Sequence, residues 1–88
     1  MRSAETGLAA AMLNLGICYN DGDGVPQNHR EAVGWFRRAA EAGNAVAMFN
    51  LGKCYSKGIG VSQNHREAVI WAGRAAEAGY PPQTVTGS

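Results

Sequence analysis

From Leu8 onward the apolar residues Leu8, Ala11, Met12, Leu15 and Tyr19 recur at spacings of three and four, the stripe of a helix buried along one side. The spacing predicts a helix over about 8–20. The run Asp21-Gly22-Asp23-Gly24-Val25-Pro26 ends it, because glycine turns the chain cheaply and proline cannot extend a helix. Asn28 then reads as an N-cap, with Glu31 three residues on to complete a capping box, and opens a second helix that runs to about Ala42. Ala32, Val33, Trp35, Phe36, Ala39 and Ala40 are its packing positions, and Gly43 closes it. The alternation then starts again, predicting a helix over about 45–56 and another over 64–78, the latter opened by Asn64 and Glu67.

The second pair of helices is a rewriting of the first. Residues 11–43 and 47–79, set at an offset of 36, agree at 24 of 33 positions. Self-similarity at a period of about 20–50 residues is the mark of a solenoid array, in which each unit buries its apolar face only against its neighbours. The expected class is all-α, an alpha-alpha superhelix of antiparallel helix pairs with about two repeats, at 8–43 and 44–79. Residues 3–7, Ser-Ala-Glu-Thr-Gly, line up with 39–43, so 1–7 reads as the remnant of a preceding repeat. After Gly79 the alanine–leucine stripe stops, and 80–88 reads as a disordered tail. Gly16 and Gly52 lower helix propensity by about 1 kcal/mol each relative to alanine, which predicts close approach of a neighbouring helix at both.

Each copy ends its first helix in Asn-Leu-Gly-x-Cys-Tyr, turns through Gly-x-Gly-Val, and closes its second helix, built around a tryptophan, with Ala-Ala-Glu-Ala-Gly. This layout resembles the Sel-one-like repeat (SLR), a relative of the tetratricopeptide repeat. Ala11, Leu15, Gly16, Tyr19, Gly22, Gly24 and Trp35 carry the match, and the second copy repeats it at Ala47, Leu51, Gly52, Tyr55, Gly58, Gly60 and Trp71. One departure is Ser62 where the first copy has Pro26. The resemblance implies a right-handed stack of helix pairs serving as a protein–protein interaction scaffold or adaptor, without chemistry of its own.

Charge and composition narrow the functional classes. The 88 residues carry a formal net charge of +1, with 17% charged and 8% aromatic residues, which gives no basic surface to attract nucleic acid. No apolar run approaches the roughly 20 residues needed to span a membrane, and the N-terminus shows no signal-peptide core. Cys18 and Cys54 occupy equivalent positions in successive copies. Equivalent helices in a stack lie about 8–10 Å apart or more, and a disulfide needs Cα atoms within about 7 Å. The cysteines are therefore expected as two small buried thiols, which suits a reducing compartment and leans localisation toward the cytoplasm.

Chemistry-bearing residues are present without the spacing that chemistry needs. Asp21-Gly22-Asp23-Gly24 lacks the further oxygen ligands of a calcium loop, with Ala32 where the closing glutamate belongs. His29 and His65 open helices with no second ligand at coordinating spacing, so no metal is expected. The Gly-x-Gly turns follow no strand and carry no Lys-Ser/Thr, so no nucleotide cofactor is expected. Cys18 and His29 lie on different helices, with no nucleophile–base pairing implied.

The two copies differ in a telling place. Leu13/Phe49, Ile17/Lys53, Asn20/Ser56 and Asp21/Lys57 share one face of the first helix of each pair. In tetratricopeptide-type stacks that helix lines the concave surface. The expected partner-binding groove is therefore Leu13, Asn14, Ile17 and Asp21 with Phe49, Asn50, Lys53 and Lys57, an apolar cluster with a polar rim suited to a partner helix or peptide. Three rivals stand beside it. Exposed end faces could give end-to-end self-association. The chain could be a non-autonomous piece of a longer SLR array. A β-lactamase-like enzyme, reported among cysteine-rich bacterial SLR proteins, would carry paired cysteines in each repeat, where this chain has one.

Overall fold

A computed structural model of the chain describes residues 2–80, with side chains from Gly7 onward. Of the tail expected to be disordered over 80–88, Tyr80 is described, its N–H bonded to the Ala75 carbonyl, and 81–88 lies outside the described residues. Four helices are present among them: α1 (Arg2–Asp21), α2 (His29–Glu41), α3 (Ala45–Lys57) and α4 (His65–Glu77). Each packs on the next, α1 on α2, α2 on α3 and α3 on α4. The pairs α1–α2 and α3–α4 are thus the two copies, and α2–α3 is the seam between them.

Three helices begin at asparagine caps. The Asn28 side-chain oxygen accepts the Glu31 N–H at 3.1 Å, Asn64 does the same for Glu67 at 3.1 Å, and Asn44 accepts from Ala47 at 2.8 Å. Each cap satisfies one of the backbone donors that a helix start leaves unpaired. The expected capping box is only half made. The Asn28 N–H goes to the Tyr19 carbonyl and the Asn64 N–H to the Tyr55 carbonyl, both at 2.8 Å, so Glu31 and Glu67 have no such donor to receive. These bonds tie each turn back to its preceding helix. Gln27 and Gln63 add a second tie, donating to the carbonyls of Asn20 and Ser56 at 2.9 Å.

Helix α1 starts earlier than the pattern predicts. It runs without a break through Gly7 and Leu8, at the positions where Gly43 turns at φ 98° and Asn44 caps α3. Leucine has no side-chain acceptor for a first-turn N–H, so nothing at Leu8 ends one helix and starts another.

The core lies along the seam, where Val33, Phe36 and Ala40 of α2 cluster with Ala47, Leu51 and Cys54 of α3. Leu51 is wholly buried, a burial that stabilises by about 1.5–3 kcal/mol. The close approach expected at the helix glycines is present. A Cβ on Gly16 would lie 2.6 Å from the Phe36 ring, and one on Gly52 would lie 3.2 Å from the Ala68 carbonyl oxygen. Cys18 departs from expectation, being half-buried where Cys54 is buried, because among the described residues no helix covers the outer side of α1. The arginines on the second helix of each pair turn back over tryptophan, Arg38 over Trp35 at 5.1 Å and Arg74 over Trp71 at 4.7 Å.

Candidate partner-binding site

The seam leaves a depression of about 440 Å³ between α1 and α3, and its floor is apolar: Phe36 from α2, with Cys54 and Ile59 beside it. Phe36 lies here because Gly16 on α1 offers no Cβ to displace its ring. Ile59 lies here because the turn after α3 folds back on α2, with Gly60 so close to the His29 carbonyl and Val33 that no side chain would fit.

Five of the residues singled out in the sequence surround this floor: Ile17 and Asp21 from α1, and Asn50, Lys53 and Lys57 from α3. Ile17 is 37% exposed, so an apolar side chain is available to solvent beside two lysines and one aspartate. The other three sit differently. Leu13 is half-buried against the core, and Asn14 is exposed away from the depression. Phe49 meets Tyr80 edge to face, with centroids 5.2 Å apart and planes at 70°, and Lys53 Nζ sits 5.8 Å from its ring centre.

Tyr80 was not legible as part of this surface. The turn after α4 repeats the turn after α2, with Tyr80 N–H donating to Ala75 O at 2.9 Å as Asn44 N–H donates to Ala39 O at 3.0 Å. Tyr80 thus stands at the position Asn44 holds one repeat earlier, and there its side chain closes one side of the depression. The offset that relates the copies is the signal that could have found it.

Burial pushes the Cys54 thiol above its ordinary value of 9.0, with the Lys53 ammonium opposing in part. It is therefore a protonated, weakly nucleophilic group at neutral pH. His29 Nδ1 lies 3.0 Å from Asn20 Oδ1, a local tie between α1 and the start of α2. Among the described residues no group of three His, Cys, Asp or Glu side chains converges as metal ligands, and no helix is long and apolar enough to cross a membrane.

Comparison with known proteins agrees with this architecture. Residues 9–44 and 45–80 each match the family model described as Sel1 repeat. A Sel1 repeat protein from Oxalobacter formigenes, known from its crystal structure, is 46% identical over 82% of this chain with a TM-score of 0.80. A protective antigen of uropathogenic Escherichia coli strains, displaying an SLR fold, is 43% identical over 86% of the chain, again with a TM-score of 0.80. The chain spans 30% of the length of the first and 16% of the second. No curated protein matches it. With the family model covering both copies, the chain belongs to the Sel1 repeat family, a helical repeat fold generally used for protein–protein interaction and typically without catalytic activity.

Proposed function

We propose that the chain binds an amphipathic partner helix or peptide in the depression between α1 and α3. The observation that carries this reading is the apolar floor of Phe36, Cys54 and Ile59 with exposed Ile17 beside Lys53 and Lys57. A partner presenting an apolar side chain to the floor and carboxylates to the lysines satisfies both features. The packed helix pairs hold that surface in place, so little entropy is lost on docking.

A displayed library of helical peptides, selected against the chain, tests the proposal. The expected binders are acidic and amphipathic, and they shift the backbone amide signals of Ile17, Asn50, Lys53 and Lys57. Ile17→Glu combined with Lys57→Glu lowers their affinity by about tenfold or more, with the unfolding midpoint unchanged. Binders that leave those signals in place, or that hold the double variant equally well, would overturn it.

A second reading is favoured by a separate observation. Leu8 and Leu15 on α1 are 60% and 41% exposed, and Val69 and Ile70 on α4 are 71% and 46% exposed. These apolar faces lie at opposite ends of the helix row and suit end-to-end association of copies.

A further inference from the structure

The two copies differ most consequentially inside the helix pairs. Phe36, only 3% exposed, fills the space between α1 and α2. Its counterpart in the second copy is Ala72, and between α3 and α4 an open cleft of about 280 Å³ remains. Gly52, Ala68 and Val69 line that cleft together with Ala72. Their counterparts one repeat earlier are Gly16, which directly borders the Phe36 ring, and Ala32 and Val33, which share a buried cluster with it. The first copy therefore displays, within the same molecule, what the walls of the second are shaped to hold. Phe49, larger than its counterpart Leu13, is itself one wall of the cleft and also meets Tyr80 edge to face, and the open space remains beside it. An apolar cavity of about 150 Å³ is enough to take benzene, so the space admits a phenyl ring.

We propose that the α3–α4 cleft is an acceptor site for the phenyl ring of a phenylalanine on a partner polypeptide, with an acidic residue beside that phenylalanine. The acidic neighbour follows from the rim. Lys53 and His65 border the cleft with Ser56, and among the described residues no carboxylate does. The Lys53 ammonium beside an apolar slot matches a ring flanked by negative charge. The site lies within the second helix pair and shares Lys53 with the depression between α1 and α3, while Gly52, Ala68, Val69 and Ala72 belong to the cleft and not to that depression, so shifts at these four distinguish the two proposals.

The experiment is a titration of the isotope-labelled full chain with N-acetyl-Asp-Phe-amide, N-acetyl-Lys-Phe-amide and N-acetyl-Asp-Ala-amide, followed by amide and methyl signals. The expected result is saturable shifts at Gly52, Ala68, Val69 and Ala72 with the first compound, weaker binding of the second, and none of the third. Ala72→Phe, which rebuilds the arrangement of the first copy, is expected to raise the unfolding midpoint and abolish the shifts. Equal response to the alanine compound, shifts that survive in Ala72→Phe, or absence of shifts at these four residues would overturn the proposal. A lowered midpoint in Ala72→Phe would do so too, because the slot would then not be shaped for the ring.

Discussion

Gly16 shows how one missing carbon can position a core side chain. Alanine is the better helix former by about 1 kcal/mol, so propensity alone predicts that Gly16→Ala stabilises α1. The structure predicts the reverse, since the new Cβ would meet two atoms of the Phe36 ring at 2.6 Å, and that ring is held on its other side by the seam. Overpacking of this kind costs about 1–3 kcal/mol. Gly16→Ala is therefore expected to lower stability in urea unfolding, and Phe36→Ala in the same chain should remove most of that penalty. Additive costs in the double variant would mean that the ring and the glycine are not coupled.

At the scale of the element, the helices were readable because their signals are local. Apolar spacing, asparagine caps and closing glycines all act within a turn or two, and they located α2, α3 and α4 to within a residue or so. What escaped depended on residues distant in sequence. The Glu31 half of the capping box is missing because Tyr19 takes the Asn28 N–H. Leu15 and Leu51 are identical in pattern yet 41% and 0% exposed, because among the described residues only α3 has a helix packed over that face. Within the site, the difference between the copies pointed to Ile17, Lys53 and Lys57, while the edge-to-face pairing of Tyr80 with Phe49 had no local signature. Asn44 tests the local part of this account. Asn44→Ala removes the acceptor of the Ala47 N–H at the start of α3 and should cost about 1 kcal/mol, read as a lower urea midpoint at unchanged slope. No change in midpoint would mean that packing alone positions that helix.

For the molecule as a whole, the α2–α3 seam is a template for what its two ends can do. In the seam, Val33, Phe36 and Ala40 meet Ala47, Leu51 and Cys54, Gly60 rests on His29, and Arg37 Nη2 donates to the Tyr55 hydroxyl. One repeat along, α4 presents exposed Val69, Ala72 and Ala76, and one repeat back, α1 presents exposed Ala11 and Leu15 with half-buried Cys18. Gly24, the counterpart of Gly60, has open space around it. An α1 face set on the α4 face of another copy would thus repeat the seam, in a head-to-tail contact that can continue as a row. Two of its anchors are absent, however: Ala72 stands for Phe36, and Gly73 for Arg37, which leaves the Tyr19 hydroxyl without the donor that Tyr55 has. The contact between copies should therefore be much weaker than the seam and visible only at high concentration. Sedimentation velocity is expected to show a monomer in the micromolar range and a mass that rises toward millimolar concentration. Leu15→Glu and Val69→Glu, at opposite ends, should each suppress the rise, since either variant places a charge in the same apolar contact. Gly73→Arg should strengthen it by restoring the tyrosine contact. A mass independent of concentration, or a rise that both glutamate variants retain, would rule out stacking through these faces.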